Sequence, residues 1–137
     1  MKQFTLFALT LLLAACKTAT PNPDPNCIQR IIDADNVLGK TRNHACETIS
    51  MAETIQNYAD GMAKLDFRGC PPDFAKAFER HRQAWIDMIP LVEKYPDMRG
   101  EMHVLFDQLE KGPDAETFKP LLKAIWDTWA EVEAAMK

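Results

Sequence analysis

Apolar residues recur three and four positions apart along most of this chain, and that spacing restricts the fold more than any other feature. The sets are Ala45, Ile49, Ala52, Ile55, Ala59 and Met62 with Leu65 beyond; Phe74, Phe78, Trp85, Met88 and Val92; Met98, Met102, Leu105, Phe106 and Leu109; and Phe118, Leu121, Leu122, Ile125, Trp129, Val132 and Met136. A period near 3.6 places each set on one face of a helix, whereas a half-buried strand needs a period of two. Only 5 glycines occur in 137 residues, which disfavours a β-sandwich or a glycine-loop nucleotide fold. The chain reads as all-α.

Breakers mark the joints. A short first helix is suggested by Cys27, Ile28, Ile31 and Ile32, stopping near residues 36–43 where Gly39 offers a C-terminal cap. The second is expected from about Asn43 to Leu65 and is broken by Arg68-Gly69-Cys70-Pro71-Pro72. Pro72-Asp73 suits the first turn of a third helix, which Pro90 should kink or end and Tyr95-Pro96 stops. A fourth helix starts near Met98 and closes at Gly112-Pro113; a fifth holds Pro120 in its first turn with Asp114 or Thr117 as cap. Connections of a few residues favour antiparallel neighbours, so the expected architecture is an up-and-down helical bundle of four main helices plus a short N-terminal helix, over residues 27–137.

The beginning of the chain has a different character. Lys2 precedes the apolar run from Phe4 to Leu13, too short to span a bilayer, which is the pattern of a signal peptide over residues 1–15. The run ends in Leu13-Ala14-Ala15-Cys16. This resembles the lipobox of bacterial lipoproteins, and the resemblance implies a diacylglyceryl group on the Cys16 sulfur, cleavage before Cys16 and acylation of the new amino terminus. The competing reading, a secretory peptide whose cysteine merely follows two alanines, requires a leucine, two small residues and a cysteine to coincide at the end of the apolar run. Two lipid attachments are what stable anchoring needs. Lys17 stands where many inner-membrane lipoproteins carry Asp, so the outer membrane, facing the periplasm, is the expected location. Residues 16–26 then form a tether: Pro21, Pro23 and Pro25 alternate without a large apolar residue, and ten such residues in extended polyproline geometry reach roughly 30 Å.

Function is read largely from what the sequence lacks. With 16 Lys and Arg against 20 Asp and Glu and no basic cluster, a nucleic-acid partner is not expected. Cys-x-x-Cys, His-Glu-x-x-His, Glu-x-x-His pairs and Gly-x-Ser-x-Gly are all missing, so no metal ligand set, catalytic residue or enzyme activity is assigned. Carboxylate pairs such as Asp33 with Asp35, or Glu131 with Glu133, lie two residues apart on a helix and point different ways.

His81 stands out as the polar residue in the apolar stripe of helix three. The plainer reading is a core-edge histidine bonded to one neighbour, with Thr128 or Glu131 of helix five as the partner and Trp126 a weaker candidate. The sharper one is a ligand for non-covalent haem with a methionine opposite, because four-helix bundles of the cytochrome b562 type use such a pair. Three cysteines remain beyond Cys16. Cys46 and Cys70 bracket helix two, roughly 36 Å apart at 1.5 Å per residue, and cannot bond each other. Cys27 is therefore the shared candidate, paired with Cys46 if the short first helix folds back beside the second, or with Cys70 if it packs lower.

The segments Cys70-Pro71-Pro72-Asp73-Phe74, His81-Arg82-Gln83-Ala84-Trp85 and Thr128-Trp129-Ala130-Glu131-Val132-Glu133 resemble a pattern of uncharacterised exported bacterial helical proteins, with Cys-Pro-x-Asp-Phe, His-x-x-Ala-Trp and Thr-Trp-x-Glu-Val-Glu motifs. That resemblance implies a structural or binding role for His81 and brings no activity or cofactor. The expectation is a membrane-anchored envelope lipoprotein acting as a non-enzymatic binding or interaction module, with the membrane and an envelope protein as partners. The alternative is a bundle carrier of non-covalent haem or metal.

Overall fold

The computed structural model describes residues 22–137. Cys16, the lipobox and most of the tether lie outside the described residues. Five helices follow in order: α1 (Cys27–Ala45), α2 (Met51–Ala63), α3 (Pro72–Val92), α4 (Met102–Leu109) and α5 (Ala115–Ala135). No strand occurs among the described residues, so the chain is all-α there. α3 is the central element, packed most extensively on α5 and next on α2, while α1 lies against α2 and α4. Phe74, Phe78 and Met88 of α3 meet Phe118, Ile125 and Val132 of α5, Ile55 and Met62 of α2, and Ile31 of α1 in one buried core. Aromatic rings interlock through it: Phe74 and Phe78 are 5.7 Å apart and Phe106 and Phe118 5.2 Å, both edge-on, the arrangement that ring quadrupoles favour.

The first helix is 19 residues long and not short. Gly39 lies inside it and caps nothing. Its place in the helix interior is compatible with the modest cost of a helical glycine, and the helix continues because Asp35, Leu38 and Arg42 extend the inward face begun by Ile28 and Ile31. Helix two is correspondingly shorter than expected. It starts at Met51, where the Ser50 hydroxyl accepts the Glu53 amide at 3.2 Å, a Ser-x-x-Glu capping signature in Ser50-Met51-Ala52-Glu53. Cys46 to Ile49 form the turn, with amides of Glu47, Thr48 and Ile49 donating back to His44 and Ala45 carbonyls. Gly61 of α2 lets the two helices approach, for a Cβ there would meet Leu38 Cδ2 at 2.8 Å.

The later helices also differ from expectation at their ends. α4 begins at Met102 rather than near Met98, because the Glu101 carboxylate accepts the His103 and Val104 amides. α5 begins at Ala115, which places Pro120 in its second turn. Asp114 stands at the N-cap but caps nothing; its carboxylate accepts from Lys94 Nζ at 3.0 Å and Tyr95 Oη at 2.8 Å, joining the end of α3 to the start of α5. Pro90 is exposed, and α3 continues two residues past it to Val92.

Cysteine pairing departs from the preferred expectation. Cys27 is bonded to Cys70, with Cα atoms 5.2 Å apart, and Cys46 is a buried free thiol. The length of α1 is the reason, since Cys27 and Cys46 lie at its two ends, roughly 28 Å apart. Residues 22–26, expected to be tether, are folded against the same corner. Asp24 donates its amide to the Gly69 carbonyl at 3.0 Å and accepts from Arg30 Nη2 at 3.2 Å. Gly69, at φ 82°, is the residue that this contact requires, for a Cβ would lie 2.8 Å from Asp24 Cβ.

Candidate functional site

A cavity of about 280 Å³ opens where all five helices meet. α1 supplies Asp35, Lys40 and Arg42 to its wall, α2 Tyr58, α3 His81 and Trp85, α4 Met102 and Phe106, and α5 Ile125, Trp126 and Trp129. Its lining mixes aromatic and aliphatic side chains with polar ones, Asn36, Asn43 and His103 among them, and its size falls near the lower end of the ~300–1,000 Å³ typical of small-molecule sites. Trp126, 58% exposed, stands on the lining as the large aromatic open to solvent.

Two polar chains are built into that wall. In the first, Trp85 Nε1 donates to His81 Nε2 at 3.1 Å, and His81 Nδ1 lies 3.0 Å from Thr128 Oγ1. The indole has only a proton to give, so Nε2 is an acceptor and the neutral imidazole carries its proton on Nδ1. Nδ1–H then donates to Thr128, whose hydroxyl hydrogen is turned toward the Ala124 carbonyl at 2.8 Å or that of Ile125 at 3.0 Å. Every proton in this run has a direction. Burial, reinforced by the nearby Arg42 charge, pushes the His81 pKa down from 6.5 to about 4, so the ring is neutral across the physiological range.

The second chain surrounds Arg42. Its guanidinium carbon sits 4.5 Å from the Tyr58 ring centroid and 4.2 Å from that of Trp85, within cation–π range of both rings, which are edge-on to each other. Asn43 Oδ1 accepts from its Nε at 3.3 Å and its Nη2 at 2.9 Å. The Tyr58 hydroxyl donates to Asp35 Oδ1 at 2.8 Å. Asp35 is 6% exposed, and burial raises its pKa against the opposing pull of Tyr58 and Arg42. Burial likewise lowers the Arg42 pKa, although a guanidinium stays charged in proteins.

The residues singled out from sequence thus separate. His81 and Thr128 are brought together; Glu131 is exposed and pairs with Arg80 at 2.6 Å, a turn away from the imidazole. His44 and His103 are exposed and bonded to Glu47 and Glu101. Met98 lies in the loop before α4, and Met102 reaches the cavity. Among the described residues no three His, Cys, Asp or Glu side chains converge as a metal site would need. Arg42 and Tyr58 carry no sequence motif, and Asp35, expected with Asp33 on a solvated face, is buried instead because it lies on the inward face of α1 and accepts from Tyr58. Asp35 and Arg42 continue the three- and four-residue spacing of Ile28, Ile31 and Leu38, so a charged residue on an apolar stripe was the available signal once α1 was read to its full length.

The described residues form an all-helical fold with an aromatic cavity that holds a half-buried guanidinium. No family model, curated protein or solved structure matches the chain.

Proposed function

We propose that the chain is a lipid-anchored lipoprotein of a bacterial envelope, held at the outer membrane through Cys16, and that it acts as a non-enzymatic binding module. On this reading residues 27–137 are an up-and-down bundle carried by the tether, and the cavity is the binding element. The observation that carries it is the Arg42 guanidinium, which lies over both the Tyr58 and the Trp85 ring in a cavity wall built from all five helices. Asp35, Tyr58 and His81 are fixed around this opening by bonds to protein atoms, which supports a pre-formed binding wall. A binding role without catalysis is supported by His81, whose two nitrogens are both engaged with protein atoms, so neither is offered as a base. The signal run, the Leu13-Ala14-Ala15-Cys16 ending and the prolines behind it support the anchor. Cys16→Ser is expected to abolish acylation and to move the protein out of the membrane fraction. Intact mass and fractionation of the two forms check this, and a wild-type chain with no acyl mass would remove the anchor from the proposal.

One observation favours a second reading, a haem carrier: His81 and Met102 line the same cavity from different helices. It requires Trp85 to release Nε2, the nitrogen an iron would take. A Soret band in the purified chain would select this reading, and Trp85→Phe should then strengthen it.

A further inference from the structure

On the reading that the cavity binds a ligand, we infer that its ligand is a small organic monoanion, a carboxylate on a compact apolar body. Charge points this way first. The chain as a whole is acidic, with 20 Asp and Glu against 16 Lys and Arg, yet the cavity lining holds Lys40 and Arg42 against the single carboxylate of Asp35. That carboxylate already accepts from Tyr58, and its burial makes it a reluctant anion. No described carboxylate comes within ion-pair distance of Arg42; of the ion pairs present, one, His103 with Glu101, touches the cavity lining. A partly buried guanidinium without a bonded counter-ion is what an anionic ligand completes.

Geometry gives the anion its shape. Asn43 occupies the edge of the guanidinium formed by Nε and Nη2. Apart from the Tyr58 hydroxyl beside the guanidinium, the end-on fork of Nη1 and Nη2 meets no described carboxylate or carbonyl, and two carboxylate oxygens match such a fork. A cationic ligand is disfavoured by the same arrangement, because the Tyr58 and Trp85 faces that would cage it already carry Arg42. Phe106, Ile125 and Trp129 supply the apolar walls for the ligand's body. The single fork of Arg42 suits one carboxylate rather than a dianion.

The test is tryptophan fluorescence of the full chain in non-ionic detergent, titrated with benzoate, benzamide and benzylamine, which share a ring and differ in charge. Benzoate is expected to give a saturable change at least tenfold tighter than benzamide, with no saturable change from benzylamine. Arg42→Met should erase the tenfold preference, and Arg42→Lys, which keeps the charge and loses the fork, should weaken benzoate about tenfold. Should Arg42→Met fail to fold by circular dichroism, Arg42→Lys decides, and unchanged benzoate affinity in it overturns the role of the fork. Benzamide or benzylamine binding as tightly as benzoate overturns the anionic ligand and leaves the cavity as a binding element. No saturable response to any of the three overturns both.

Discussion

Cys27→Ala/Cys70→Ala is expected to lower the stability of the folded chain by on the order of 4 kcal/mol, because the bond closes a loop with a sequence separation of 43. The cross-link restricts the unfolded chain, and a loop of that length gives it much conformational freedom to remove. Locally the bond fixes the start of α1 to the start of α3, beside the Asp24–Gly69 contact and beneath Arg30, whose Nη2 donates to Cys27 Sγ at 3.3 Å and whose Nη1 donates to the Asp66 carbonyl at 2.7 Å. Urea unfolding of the wild type and the double variant measures the loss. Peptide mapping without reductant should recover Cys27 joined to Cys70 and, among the described residues, a free thiol at Cys46 that alkylates only after unfolding, since it is buried and burial raises its pKa.

His81→Ala is expected to cost about 3 kcal/mol and His81→Leu less, about 1–3 kcal/mol. Both leave the Trp85 indole N–H without its acceptor, but only alanine also opens a void at a position 4% exposed. Adding Trp85→Phe to His81→Leu should recover part of the loss by removing the orphaned donor. The imidazole also sets a pH dependence. Unfolded His81 takes up a proton near pH 6.5 and the folded ring resists until about pH 4, so its contribution is fully present above 6.5 and is lost as pH falls toward 4. The total is on the order of 3 kcal/mol. Asp35 acts with the opposite sign: its raised pKa means stability is lost as pH rises through that value. The difference between wild type and His81→Leu, followed by unfolding at pH 7, 5.5 and 4, isolates the imidazole and should shrink as the pH falls.

Helical class and the positions of α3 and α5 were legible because their inward faces are long and almost purely apolar, from Phe74 to Val92 and from Phe118 to Val132. α1 was not legible to its end. Its inward face includes Asp35 and Arg42, charged residues that a hydrophobic pattern treats as a stop, and Gly39 imitates a cap. That error moved helix two forward over Cys46 and so favoured the pairing of Cys27 with Cys46, while Ser50 and Glu53 held the correct boundary. The site was half hidden for the same reason. His81 could be noticed as a polar interruption in an apolar stripe, and Thr128 as a hydroxyl on the facing helix. The Arg42–Tyr58–Asp35 cluster depends on how α1 and α2 are rotated against each other, which is a matter of tertiary packing around Gly61 and Leu38 that local periodicity does not encode.

Native mass spectrometry of the chain extracted in detergent from the membranes of the cells that make it tests the proposed binding module most directly, because it reads the proposed anchor and the cavity in one spectrum. The account predicts a chain beginning at Cys16 with diacylglyceryl and acyl mass, carrying a small non-covalent adduct that excess benzoate displaces and that Arg42→Lys diminishes. An unacylated terminus, or an extract in which no adduct forms and added benzoate does not bind, would contradict it.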